Sequence, residues 1–276
     1  KSSLALGLLG LLDTNARLEG QVRLGEAQLV GARKDLLRKI RWSEISLVPQ
    51  SAMNALSPVI RVGEQIVDVI LAHQDVRRRQ ARITAMDMLE RVGLDRAHYN
   101  AFPHELSGGM RQRAVIAMAI VLMPRLVILD EPTTALDVVT QQRVLEQIMQ
   151  LRAEFGFSMV FITHDLPLLL EWSDRIGVMY AGSLVEVSGS AQIGTDPLHP
   201  YSRMLMDSFP NLYGPQGELA TIPGSPWDLR RDSTGCLFAD RCDSTMDSCR
   251  QVPPALIEHS GRSVACHLHH PPRGGE

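Results

Sequence analysis

Two short aliphatic runs, each closing on ionisable side chains, constrain this chain more than any other feature. They are "LVILDE" (residues 126–131) and "SMVFITHD" (residues 158–165). The first is too short for a helix, and its β-branched, wholly apolar character suits a central strand of a parallel sheet covered on both faces; the second reads the same way. Between them, Val144, Ile148 and Leu151 fall on one helical stripe within residues 140–155. Strand, helix and strand in this order make a βαβ unit, and hence an α/β fold around a parallel sheet.

Ligands of open parallel sheets bind at the carboxyl ends of the strands. Here that edge receives Asp130 and Glu131 from the first run and His164 from the second. Neighbouring strand residues point to opposite sides, so the two carboxylates can take different tasks. Asp130 suits Mg²⁺, directly or through water, and Glu131 suits the orientation or deprotonation of an attacking water. A neutral His164 at the same rim could meet a phosphate and that water. A third element is "LSGG", where Ser107 can cap a helix and the open backbone at Gly108 and Gly109 forms an anion site at its start. Taken singly, each has a plainer reading: a solvated acidic turn, a structural histidine, a capped helix.

Elsewhere the pattern is mostly helical. The stretch from residue 51 to 105 is amphipathic, with Ile66, Val69 and Ile70, then Ile83, Met86, Met88 and Leu89, at helical spacing. The longest apolar run, residues 114–123, stops at Pro124 and falls far short of the roughly 20 residues of a membrane span. A net charge of −3 argues against nucleic-acid backbone as the main partner, and the basic run "DVRRRQAR" reads as a solvated helix face. "VMYAG" and "LVEVSG" suggest a closing β-hairpin. After it the chain becomes rich in Pro, Gly, His and Cys, which places a domain boundary near Ser190, with residues 1–190 before it and 191–276 after it. All four cysteines, Cys236, Cys242, Cys249 and Cys266, lie in the later part.

Together these segments resemble the ATP-hydrolysing subunits of ABC transporters. "LSGGMRQR" is similar to the signature motif, "LVILDEP" to the Walker B strand, "TALD" to the D-loop with Asp137, "ITHD" to the switch histidine, and "VPQ" to the Q-loop with Gln50. The resemblance implies a P-loop NTPase core with an inserted helical subdomain at about residues 51–105. It implies ATP and Mg²⁺ as ligands, with Glu131, His164 and Gln50 catalytic. A P-loop ends in Gly-Lys-[Ser/Thr], and Lys1, Ser2 and Ser3 occupy the family's last positions of that loop, with Ser2 and Gln50 joining Asp130 at Mg²⁺. The glycines of the loop do not precede them, so the sequence is expected to be truncated within Walker A and, by itself, to bind nucleotide poorly and be inactive. In the family two such subunits sandwich ATP, so Ser107, Gly108, Gly109 and Asp137 would address nucleotide across a homo- or heterodimer. Two integral membrane permease subunits, and indirectly a substrate-binding protein, would complete a complex at the cytoplasmic face of the membrane.

The tail resembles the C-terminal extension of the oligopeptide/dipeptide/nickel branch, through "DPLHPYSRML" and "GCLFADRC…C…VACHL". That resemblance implies a [4Fe–4S] cluster on Cys236, Cys242, Cys249 and Cys266. The spacing matches neither zinc-ribbon nor ferredoxin runs, and zinc stays the alternative. Peptide is the expected cargo. The wording "VPQSAMNALSPV" keeps oligosaccharide close behind, with nickel as a further alternative and a non-transport ABC ATPase less favoured.

Overall fold

The structure, a computed structural model, describes residues 1–13, 15–50, 55–134, 136–209 and 221–270. Residues 51–54, where the helical segment was expected to begin, Ala135 of the "TALD" stretch and residues 271–276 of the extension lie outside the described residues. Two compact units make up the chain, Lys1–His164 and Asp165–Glu276.

The first unit runs α1 (Ser2–Leu8), β1 (Arg23–Leu24), β2 (Ala27–Gln28), α2 (Lys34–Ile40), β3 (Ile45–Val48), α3 (Val62–His73), α4 (Arg78–Arg91), α5 (Gly108–Ile120), β4 (Leu126–Asp130), α6 (Val138–Phe155) and β5 (Ser158–Ile162). Strands β3, β4 and β5 form a parallel sheet in that order, with Val48 opposite Leu129 and Asp130 opposite Ile162. The expected βαβ unit is β4–α6–β5. Val127, Ile128 and Leu129 are buried in the middle strand, whereas Val160 of β5 is exposed. The second aliphatic run is therefore less covered than its composition suggested, because β5 stands at the end of the three-strand order. Beneath the sheet, Ala5 and Leu9 from the α1 segment pack with Ile40, Ile45 and Ile128.

Helices α3 and α4 pack against each other; α3 buries Ile66, Val67 and Ile70, and α4 buries Ala81, Ala85, Met88 and Leu89. Three expected positions differ. Val67 rather than Val69 is buried, Met86 is half-buried, and Ile83 is 40% exposed. The inward stripe of α4 is built from small alanines at i and i+4, which let the helices approach closely and leave Ile83 on the outer face. Tyr99 is buried against Gly63, and its hydroxyl donates to Glu64 at 2.6 Å.

The second unit runs α7 (Leu166–Trp172), β6 (Arg175–Tyr180), β7 (Ser183–Gly189), α8 (Ser190–Thr195), α9 (Pro200–Asp207), α10 (Asp247–Gln251), β8 (Ile257–His259) and β9 (Arg262–Val264). The β6–β7 hairpin forms as expected. Its second strand pairs with β9, in the sheet order β6-β7-β9-β8. Main-chain pairing and a shared core of Ile176, Val178, Tyr180, Ile193 and Phe238 thus join residues on both sides of Ser190. Contact divides the chain at His164 and Asp165, ahead of the shift in composition. Arg241 ties down the long connection by donating to the carbonyls of Pro223 at 2.7 Å and Ile222 at 3.1 Å, with its guanidinium over the Tyr180 ring.

Candidate functional site

Parallel register brings the carboxyl ends of β3, β4 and β5 to one rim, and the side chains there meet at Glu131. Its N–H donates to Ile162 O at 2.8 Å, and its φ of 47° turns the chain sharply away from β4. A non-glycine residue is uncommon in this left-handed region. Gln50 Nε2 donates to Glu131 Oε2 at 2.9 Å, Thr134 Oγ1 donates to the same oxygen at 3.0 Å, and His164 Nδ1 lies 3.2 Å from Oε1. Burial works to raise the carboxyl's pKa. The hydrogen bonds of His164 and Thr134, with the charges of His164 and Lys1, outweigh it and hold Glu131 below the usual carboxylate range. Glu131 is therefore ionised at neutral pH.

Asp130 occupies the last position of β4 and is buried, and its Oδ1 has no hydrogen-bond partner among the described residues. An orphaned buried carboxylate oxygen is costly unless a cation or donor arrives, so this atom fits a divalent ion such as Mg²⁺. Lys1 Nζ donates to Thr163 O at 3.1 Å, placing the amine at the same rim, while the backbone carbonyl of Lys1 receives Leu4 N as α1 begins through Ser2 and Ser3.

A second cluster forms where α5 and α6 begin. Ser107 caps α5 by accepting from Met110 N at 3.3 Å, and Asp137 caps α6 by accepting from Thr140 N at 3.0 Å and from the Thr140 hydroxyl at 2.7 Å. Those two bonds lower the Asp137 pKa. A Cβ on Gly109 would stand 2.7 Å from Thr140 Cγ2, so the glycine lets the two helix starts touch. Of the residues expected from the sequence, Lys1, Gln50, Asp130, Glu131 and His164 thus assemble at the strand ends. Ser107, Gly108, Gly109 and Asp137 sit at the paired helix starts.

An ABC transporter family profile matches residues 1–134, and the oligopeptide/dipeptide transporter C-terminal region matches residues 185–249. The oligopeptide transport ATP-binding protein AppD of Bacillus subtilis is 40% identical over 274 residues, covering 98% of this chain and 84% of its own. The chain belongs to the ATP-binding proteins of ABC transporters. The dipeptide transport protein DppD of Caldanaerobacter subterraneus is 39% identical over 98% of this chain and 84% of its own. Among solved structures, the dimeric post-hydrolysis state of the ATP-binding cassette MJ0796 with ADP and Pi superposes with a TM-score of 0.60 at 28% identity, covering 68% of this chain and 80% of that one. As a member of this family the chain is an ATPase, with ATP as substrate and Mg²⁺ as its companion ion.

The four cysteines of this ABC protein line one cavity together with His199 and His267. Burial, aided by the neighbouring thiols, pushes Cys266 up to about 11 and raises Cys236 in the same way. Among the described residues no group of three or more His, Cys, Asp or Glu is placed to hold a metal ion. The expected [4Fe–4S] cluster, and the zinc alternative, find no support in this arrangement, and no function is routed through them. Next to the cavity, the fully buried Glu186 accepts from the N–H groups of Leu198 and His199, both at 2.9 Å. Sequence reading missed Glu186, and it named Thr134 only as the first residue of the "TALD" stretch. By alternation along "SLVEVSG" Glu186 falls on the face opposite Val185 and Val187, so the sequence carried no signal of its burial.

Proposed function

We propose that this chain is the ATP-hydrolysing subunit of an importer of oligopeptides or dipeptides, working as a dimer with nucleotide at the interface. The observation that carries the catalytic part is the convergence of Gln50, Thr134 and His164 on the ionised carboxylate of Glu131, beside the orphaned oxygen of Asp130. Asp130, Ser2 and Gln50 would hold Mg²⁺, which when bound neutralises charge on the transferring phosphoryl group. Glu131 takes a proton from the attacking water as its oxygen bonds to the γ-phosphorus, and the bond to the bridging oxygen breaks to release ADP. His164 turns from Glu131 toward the γ-phosphate, and Lys1, Ser2 and Ser3 bind phosphate oxygens. Ser107, Gly108 and Gly109 present an anion-binding helix start to the nucleotide of the sister subunit, with Asp137 beside them.

Among the described residues no helix is long and apolar enough to cross a membrane. In this reading the subunit reaches the membrane by docking on two permease subunits at its cytoplasmic face, which a binding protein supplies with cargo. The peptide assignment rests on the relatives named above and on the match of the tail. Uptake assays in proteoliposomes containing the assembled transporter test it. ATP-dependent accumulation of a labelled oligopeptide is expected. Accumulation of an oligosaccharide or nickel, with none of peptide, would reassign the cargo and leave the motor intact.

A further inference from the structure

We propose that Thr134 is a positioning residue for hydrolysis, acting through Glu131 by fixing which carboxylate oxygen faces the attacking water. The proposal rests on the reading of Glu131 as the proton acceptor. Backbone geometry anchors the main chain of Glu131, through its N–H bond to Ile162 O and its φ of 47°. The side chain beyond it has three rotatable bonds, so partners must set the carboxylate's direction. Three serve. Gln50 and His164 arrive from the ends of other strands, and both have work on the nucleotide and its ion, which draws them off Glu131. Thr134 belongs to the same turn as Glu131, since its N–H approaches Glu131 O at 3.4 Å, and its hydroxyl donates to Oε2 at 3.0 Å. It travels with the carboxylate and stays when the others leave. With Oε2 so engaged, Oε1, where His164 rests, is the oxygen freed for the water's proton. A group that holds a reacting atom in its productive orientation contributes to the rate and not to ground-state binding.

The test uses the assembled transporter and separates kcat from KM. Thr134→Val is expected to lower kcat about tenfold, by loss of a hydrogen bond to a charged group, with the KM for ATP unchanged. Thr134→Ser, which keeps the hydroxyl, is expected to restore kcat. Added to Glu131→Gln, Thr134→Val is expected to change the residual rate no further, because its route to the reaction is gone. An unchanged kcat in Thr134→Val, a Thr134→Ser as slow as Thr134→Val, or an independent further loss in the double variant would each overturn the proposal. Full turnover in Glu131→Gln alone would instead overturn the reading of Glu131 on which it rests.

Discussion

His199 shows how a residue's surroundings override its ordinary chemistry. Its ring is 1% exposed, and Nδ1 accepts from Tyr201 N at 3.0 Å. Burial, reinforced by neighbouring His269 and Arg203, lowers its pKa from 6.5 to about 4, while Glu186 is occupied with the backbone N–H groups of Leu198 and His199 and the cysteines line the same cavity. The unfolded chain takes up a proton below pH 6.5 that the folded chain refuses until about pH 4, so stability is full above pH 6.5 and falls as pH drops through that window. The whole loss is about 3 kcal/mol. Urea denaturation followed by the fluorescence of Trp172 and Trp227 checks this, with the steep acid dependence expected in the native protein and flattened in His199→Gln; identical slopes would contradict it. The "HPY" wording was visible in the sequence, but this consequence was not, because it depends on a pairing between β7 and the segment before α9. The positions of Glu131 and His164 were legible, since each ends an apolar run whose strand character fixes where it emerges, whereas Gln50 came from the family resemblance of "VPQ".

Among the elements, α3 and α4 depend on a close approach that the sequence only half revealed. A Cβ on Gly63 would overlap the Tyr99 ring. Gly63→Ala must therefore displace Tyr99, whose pKa is raised to about 12 by burial and by its bond to Glu64, and break that bond. The expected cost is about 2 kcal/mol, from overpacking and a lost hydrogen bond, read as a lower urea midpoint of the first unit. An unshifted midpoint would show that the ring relocates freely. The apolar period located both helices, yet it put Ile83 on the inner face, because a hydrophobic residue advertises burial more strongly than the alanines that here do the packing. For β4 composition and burial agreed, since its wholly apolar run has Val127, Ile128 and Leu129 buried on both faces.

For the molecule as a whole, the parallel register of β3, β4 and β5 matters most, because it turns three separate stretches of sequence into one rim. The order of elements made that arrangement legible. The division into units was less so, since a shift in composition marks where residue usage changes and not where strands pair. Two helix starts, capped by Ser107 and Asp137 and brought together by Gly109 against Thr140, form a second cluster in the same unit. The central claim is that Glu131 accepts the proton of the attacking water at this rim. Single-turnover hydrolysis of radiolabelled ATP by the assembled transporter carrying Glu131→Gln tests it most directly. ATP should remain bound and intact, with the rate reduced at least about 100-fold; release of phosphate at the unaltered rate would contradict it.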